Sequence, residues 1–495
     1  MAEQAEPSPL VVVGASAGGI EALSTLVSGL AADFPAPLVI AQHLDPSRPS
    51  ILADILGRHT TLQVRLVTGH APLEGGVIFV VPANHHVEIT NHALNLPVDD
   101  GGRLKPSIDR LFSSAAAAWG EDLIAVVLTG TGVDGCAGAR AVKHAGGMVI
   151  VQNPSTAQYG GMPAAIPPAV VDVVAELDAI GPLLHNLLRG AATPPGPAAP
   201  RALEAFLAQV REARGLDFTH YERPTILRRV HRRMAATGMH TLTDYRQYLQ
   251  NHPEEYERLI PTTLTTVTEF FGDPVLFGYL QQQVLPEIVA AARAHGKAIR
   301  IWCANCTTGE EAYSLAILLA EVLGEELEQF TVRIFATDRD AQALAFARRG
   351  HYPACVLRAL PAELVARSFT TSDDGYMVTK RLRSLVVFGE HELGRSAPFP
   401  HIDLCLCRNV LTYVTPELQQ RVLHTMAFEL RDGGYLVLGQ AETPSPLGAI
   451  FAPAHPQLKI YRRQARPAGA RDVPLVLPQA RRARRRGTTP PAEMG

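Results

Sequence analysis

The chain has 495 residues, 47% of them apolar, with 45 basic against 48 acidic side chains and a formal net charge of −3. That length exceeds one ordinary core and predicts two or three compact units of roughly 150 residues. No apolar run approaches the ~20 residues that a membrane-spanning helix needs, so the chain reads as soluble, with neither membrane insertion nor a specific nucleic-acid partner expected.

The opening residues, MAEQAEPSP, have no basic n-region and no apolar h-region, which predicts a cytoplasmic rather than an exported protein. Six cysteines in so long a chain make no disulfide framework and are expected to be reduced. Cys303-x-x-Cys306 lacks a second pair at ligand spacing, so core packing explains it better than a metal.

From Leu10 to Leu188, the runs LVVVGA, PLVIAQH, GVIFVVP, LIAVVLTG and GMVIVQ alternate with helical stretches, which predicts a parallel α/β unit over residues 8–188. The Pro/Ala/Gly-rich segment 189–201 reads as a linker. Residues 202–275 carry helical periodicity, and 276–463 return to strands in IRIWCAN, VRIFATD, IDLCLCRN and GYLVLG, so a small all-α subdomain and a second α/β domain follow. The basic tail 464–495 lacks apolar periodicity and is expected to be disordered.

In LVVVGASAGGIEAL, Ser16 follows a strand and precedes a helix within Gly14-x-Ser16-x-Gly18, the pattern of a nucleophile elbow. Such a turn projects the hydroxyl from the strand end and aims free amides, here those of Ala17 and Gly18, at a developing oxyanion. His43 closes the next strand and is the candidate base; Asp134, in the glycine-rich loop LTGTGVDG, is the candidate orienting carboxylate. Spacing alone is equally compatible with a phosphate-binding turn and a structural histidine, although G-x-G-x-x-G spacing is missing.

GASAGG, AQH, KPSID (Lys105–Asp109), LTGTGVDG and YGGMP (Tyr159–Pro163) resemble, in order and spacing, the chemotaxis methylesterase family, CheB. The resemblance implies a Ser16–His43–Asp134 hydrolase acting on glutamyl γ-methyl esters, and on some glutamine amides, of receptor signalling helices. Ala17 stands where that family often has Thr, and Thr131 where it often has Met. Only nine residues precede the first strand, so control by a preceding receiver domain is not expected within this chain.

In IRIWCANCTTGEEAYS the strand runs into a turn with a single glycine, Gly309, so no phosphate cradle is present. A nucleoside without phosphates fits better, with Asp338 at the end of VRIFATD placed to accept from ribose hydroxyls. Helix capping by Asp338 and a favourable first turn from Glu310 and Glu311 explain the same residues about as well.

WCANCTTGEEAYS, ATDRDAQALAFARRGHY and CRNVLTYVTPELQQRVL resemble the chemotaxis receptor methyltransferase family, CheR, over residues 202–463. That implies a helical subdomain and a Rossmann-like S-adenosylmethionine-dependent domain that methylates glutamate carboxylates. By position, Thr268, Glu310, Glu311, Asp338, Arg408 and Asn409 would form the cofactor pocket. Departures are Leu264, Thr266 and Gly272, the last in place of an arginine, and also Asn305 and Arg339.

PTILRRVHRRM pairs Arg228 with Arg232 and Arg229 with Arg233 at i,i+4, a cationic face that fits glutamate-bearing receptor helices. A plain solvated face is the competing explanation. The family resemblance makes chemoreceptor signalling helices the expected partners, alongside sensory kinase components, with recruitment to membrane receptor arrays. FTTSDDGYMV and LRSLVVF together resemble the small β insertion of the methyltransferases. The rival expectation is an adaptor whose second half binds S-adenosylmethionine and receptors without turnover.

Overall fold

The computed structural model describes residues 9–44, 50–83, 85–97, 106–192, 199–214, 223–239, 241–256, 258–259, 268–372, 375–393, 399–445 and 447–465. Lys105, Leu264, Thr266, the middle of the expected linker and the tail from 466 lie outside these residues, as does the side chain of Arg228.

Uninterrupted apolar runs make strands buried on both faces, the signature of a parallel sheet covered by helices. The N-terminal unit obeys this: β1 (Leu10–Ala15), β2 (Leu38–Gln42), β3 (Gln63–Leu66), β4 (Val77–Val80), β5 (Leu123–Val127), β6 (Met148–Gln152) and β7 (Val173–Ala175) form an all-parallel sheet in the order β7-β6-β5-β1-β2-β4-β3. Val11, Val13, Ile40 and Ile150 pack on one face, and Leu10, Val12, Val39 and Val149 on the other. Helix α1 (Gly19–Ser28) leaves β1 directly, while α2 (Ile108–Trp119) and α3 (Cys136–His144) cross closely beside β5.

The crossing of α2 and α3 is set by Gly138. A Cβ there would lie 2.5 Å from Cβ of Phe112 and 3.0 Å from the Asp109 backbone.

The helical unit contains α4 (Ala199–Arg214), α5 (Arg223–Ala236) and α6 (Leu242–Asn251), which bury Phe206, Val210, Val230, Met234 and Tyr245 together. The following α/β unit has β8 (Ala298–Ala304), β9 (Thr331–Asp338), β10 (Val386–Glu390), β11 (Ile402–Cys407), β12 (Leu430–Leu438), β13 (Phe451–His455) and β14 (Ile460–Arg463), in the order β10-β9-β8-β11-β12-β14-β13. Its first five strands are parallel; β14 pairs antiparallel with both β12 and β13. Helix α7 (Glu310–Leu323) follows β8 and is almost wholly buried.

Several expectations are corrected. Residues 189–192 extend a helix from Leu177, and 199–201 begin α4, because the alanines flanking the prolines propagate helix. The run LRSLVVF does not stay with the small insertion: its strand is β10, the edge of the main sheet, and the FTTS–GYMV hairpin pairs instead with His351–Tyr352. The cysteines are not all reduced, since Cys136 and Cys355 are joined by a disulfide across a Cα–Cα distance of 6.2 Å.

The predicted cationic face also changes meaning. Arg232 donates to the carbonyl oxygens of Gly146 (3.0 Å) and Glu121 (2.5 Å) in the N-terminal unit. Arg233 forms two hydrogen bonds to Glu255, at 2.9 and 3.0 Å, and Glu255 also accepts from the Tyr245 hydroxyl. Both arginines are buried against these partners, so their side chains hold the fold together rather than forming an open cationic face. Breaking a buried pair of this kind costs about 3–5 kcal/mol.

Gly138→Ala is expected to lower stability by about 1–3 kcal/mol, because the added methyl must push α2 from α3. A thermal unfolding midpoint equal to that of the parent would show that the crossing gives way without cost.

Candidate functional sites

The first site is built at the C-terminal ends of β1, β2 and β5. After β1, Gly18 takes φ 72°, turning the chain into α1, and Gly130 sits so close that a Cβ would lie 2.8 Å from Cβ of Ser16. The Ser16 and Gly19 amides are bonded to Thr129 O and Ser16 O, which leaves Ala17 and Gly18 as the amides of this turn without a partner among the described residues. Gln42 donates to Ser16 O (2.7 Å) and His43 O (2.8 Å), fixing two neighbouring strand ends with one side chain.

The three predicted residues meet. Ser16 Oγ lies 3.1 Å from His43 Nδ1, and His43 Nε2 lies 2.9 Å from Asp134 Oδ2. These partners assign the tautomer with hydrogen on Nε2, donated to the carboxylate, and a lone pair on Nδ1 facing the serine hydroxyl.

Asp134 is held by more than the histidine. It accepts from the amides of Ile108 (2.8 Å), Asp109 (3.0 Å) and Gly135 (3.0 Å). Ile108 and Asp109 open α2, so the otherwise unmet amides of a helix N-terminus are spent on this carboxylate. Burial acts to raise its pKa, but the bonds from His43, Asp109 and Ile108 outweigh that and hold it below the ordinary carboxylate range. Asp134 is therefore ionised when a positive charge forms on the imidazole.

Asp109, next to it, was missed at the sequence level. Its Oδ1 accepts from Gly135 N (2.9 Å) and Gly138 N (2.8 Å), and its Oδ2 accepts from Arg358 (2.9 Å), a residue of the C-terminal unit. Burial beside Asp134 raises its pKa. The signal available was Pro106-Ser107 before an apolar helix: Ser107 is the N-cap, accepting from Arg110 N at 3.3 Å.

The second site lies at the strand ends of the other sheet. Asn305 (φ 60°), Thr307 (φ 50°) and Gly309 (φ 92°) turn the chain from β8 into α7. Asp338 ends β9, and its carboxylate accepts from Thr307 N (2.8 Å) and Asp340 N (2.9 Å), bracing that turn while each oxygen keeps a second acceptor position. Burial pushes the Asp338 pKa up. Asp338, Asn305 and Thr307 line a cavity of about 840 Å³, within the usual range of ligand sites. Lys143, Pro163 and Asp172 of the N-terminal unit and Arg233 of the helical one line the same cavity.

Glu310 and Glu311 open α7. Glu310 is fully buried, accepts from Thr308 Oγ1 at 2.7 Å, and is pushed up to about 7 by desolvation. Glu311 pairs with Arg408 at 2.7 Å, and burial raises its pKa against that partner. The Phe271 amide donates to Ser314 Oγ (3.0 Å), one turn beyond Glu310, which brings the Thr268–Gly272 segment alongside α7.

Asn409, with φ 57°, follows Arg408 after β11. Glu442, unrecognised in the sequence, fixes that turn by accepting from the amides of Asn409 (3.1 Å), Val410 (2.6 Å), Leu411 (2.6 Å) and Gly439 (2.6 Å).

Thr268 Oγ1, Glu310 Oε1 and Arg408 Nε are each buried with no hydrogen-bond partner among the described residues. Buried polar atoms are otherwise nearly always paired, so unmet acceptors and donors within one predicted ligand set fit a polar ligand. Carboxylates suit the hydroxyls and ammonium of a nucleoside amino acid such as S-adenosylmethionine.

The class that emerges is an α/β unit with a Ser–His–Asp arrangement at its strand ends, fused through a helical unit to an open α/β ligand-binding sheet. The family models give its relationship: residues 11–184 match the CheB methylesterase, 201–262 the all-alpha domain of the CheR methyltransferase, and 266–451 the SAM-binding domain of the CheR methyltransferase. The chain therefore joins a CheB-family methylesterase domain to both domains of the CheR methyltransferase family, whose methyl donor is S-adenosylmethionine.

An uncharacterized 104.1 kDa protein of Rhodobacter capsulatus is 34% identical over 420 residues, covering 79% of this chain and 44% of its own length. Protein-glutamate methylesterase/protein-glutamine glutaminase 1 of Saccharophagus degradans is 37% identical over 175 residues, 34% of this chain and 48% of its own. The CheB methylesterase catalytic domain of Thermotoga maritima aligns with 36% of this chain and 98% of its own at 30% identity, with a TM-score of 0.35. The chain spans about half the length of the curated relatives it matches. Among the described residues, no helix is long and apolar enough to cross a membrane.

The Glu310 shift predicts a pH effect. Its folded pKa of about 7 lies above the 4.5 of an ordinary glutamate, so its contribution to stability is full below about pH 4.5 and is lost as pH rises through about 7. Glu310→Gln is expected to gain stability over the parent as pH rises across that window. A difference independent of pH would contradict the assignment.

Proposed function

We propose that this chain both places and removes methyl groups on glutamate side chains of chemoreceptor signalling helices. The observation that carries the reading is the hydrogen-bonded series from Ser16 through His43 to Asp134, in the same chain as a second site rich in buried carboxylates.

In the esterase direction, Ser16 Oγ attacks the γ-carbonyl carbon of a glutamyl methyl ester while its proton passes to His43 Nδ1. The Ala17 and Gly18 amides face the oxyanion. Methoxide leaves as methanol with the proton from His43. Water then attacks the acyl-serine, His43 takes its proton, and Ser16 Oγ recovers it as the free glutamate departs. Asp134 stays ionised throughout and stabilises the imidazolium. A glutamine amide would follow the same course, with ammonia leaving.

In the transferase direction, S-adenosylmethionine when bound supplies an electrophilic methyl group to a carboxylate oxygen. Asp338 would accept from its ribose, and Glu310 with Thr268 would meet its polar groups. Glu311 and Arg408 form a neutralised pair that keeps the pocket ordered, and Asn409 stands at the neighbouring strand end. The protein's contribution is alignment and exclusion of water.

A second reading rests on Gly272, which leaves no side chain where the methyltransferases carry an arginine. In that reading the C-terminal half binds the cofactor and receptor without turnover.

One experiment separates them. Ser16→Ala protein with radiolabelled S-adenosylmethionine and receptor-containing membranes is expected to leave base-labile methyl groups on the receptor, which the parent protein then releases as methanol. Absence of label, with cofactor binding intact and a substrate that an active relative methylates, would overturn the transferase half and leave the binding-only reading.

A further inference from the structure

Helix α3 belongs to the methylesterase domain by sequence and begins two residues after Asp134, yet its outer side lies on the methyltransferase. Arg140 Nη2 donates to Thr268 O at 2.9 Å and forms an ion pair with Glu269 at 3.3 Å. His144, one turn later, reaches the same Glu269 oxygen at 3.1 Å. Arg140 is buried although it is an arginine. A long cationic side chain buried across a domain boundary loses both hydration and rotamer freedom, so it persists only where its bonds compensate.

The place it reaches is specific. Thr268 carries one of the buried oxygens of the second site that have no partner among the described residues, and its neighbour Phe271 is fixed to α7 one turn beyond Glu310. Gly272, at the end of the same segment, has no side chain to supply a charge. We propose that Arg140, lent by the esterase domain, is a positioning residue of the methyltransferase site: it fixes the Thr268–Glu269 segment against α7 and so orders the Thr268 side of the cofactor pocket.

This rests on the transferase reading above and extends it, since the cofactor site is then complete only when both domains are present. The electrostatics agree: desolvation raises Glu310, and the charge of Arg140 is the strongest influence opposing it. Glu269 is held at about 2, first by its hydrogen bond from His144 and then by Arg140. The pocket ordered in this way would receive a ligand carboxylate, either of the cofactor's amino-acid end or of the substrate glutamate. The two sources differ in which affinity the side chain controls.

The test uses the full chain and measures S-adenosylmethionine binding by calorimetry and receptor methylation kinetics for Arg140→Ala and Arg140→Lys. Losing one charge-assisted bond is expected to weaken cofactor binding by about tenfold to a hundredfold in Arg140→Ala, with substantial recovery in Arg140→Lys. If the carboxylate is the substrate's, the same loss appears instead in the receptor KM while cofactor affinity holds. Hydrolysis of a small ester at a near-parental rate and a single cooperative unfolding transition serve as controls for folding, the thermal midpoint falling because a buried arginine and its bonds are lost.

Parental cofactor affinity together with parental receptor KM in a folded Arg140→Ala protein would overturn the proposal. So would a loss that lysine does not relieve, which marks an interface role alone. Failure of the parent protein itself to bind S-adenosylmethionine would instead sink the transferase reading on which the proposal stands.

Discussion

A buried carboxylate has to be satisfied, and the way Asp134 meets that demand organises the N-terminal domain. Its oxygens draw in the His43 ring from β2, two amides from the start of α2 and one from its own loop. Each such charge-assisted bond is worth about 1.5–3 kcal/mol, so together they outweigh desolvation and keep the carboxylate ionised. The same loop begins α3, whose close crossing with α2 at Gly138 lets Asp109 accept amides from both ends of the turn. The geometry of the Ser16–His43–Asp134 series and the packing of α2 on α3 are here one constraint.

That constraint extends into the other half of the chain. Asp109 accepts from Arg358, Cys136 is joined to Cys355, and Arg140 grips the Thr268–Glu269 segment. Arg232 ties the helical domain to the same body through the carbonyls of Gly146 and Glu121, and Arg233 reaches the Asp172 carbonyl at 3.5 Å. The methylesterase-family and methyltransferase-family domains are thus mounted on one packed unit. Their carboxylates are tuned in opposite directions, Asp134 downward by hydrogen bonds and Glu310, Glu311 and Asp338 upward by burial.

Much of this was legible in the sequence because local pattern determines it. The strand runs LVVVGA and IRIWCA are unbroken apolar segments, and β1 and β8 fall on them. Ser16, His43 and Asp134 each terminate or follow a strand in a parallel sheet, so topology alone brings them to the C-terminal end of that sheet. The antiparallel pair β13–β14 was not legible, since FAPAH holds a proline and short polar breaks, and β10 was assigned to the wrong sheet because an edge strand and a hairpin strand share the same composition.

What sequence could not give is pairing across distance. The Cys136–Cys355 link spans 219 residues, and Arg232 and Arg233 look like a solvated cationic face until Glu255 and the carbonyls of another domain are in view. Glu442 carries no local signal at all; its four amide partners come from two separate turns.

The central claim is that two competent sites coexist on a single chain. Native mass spectrometry of the full protein exposed to a fluorophosphonate and S-adenosylmethionine tests it directly. The account predicts one population bearing both, with the covalent label on Ser16; a label elsewhere, or no chain that retains the cofactor, would contradict it.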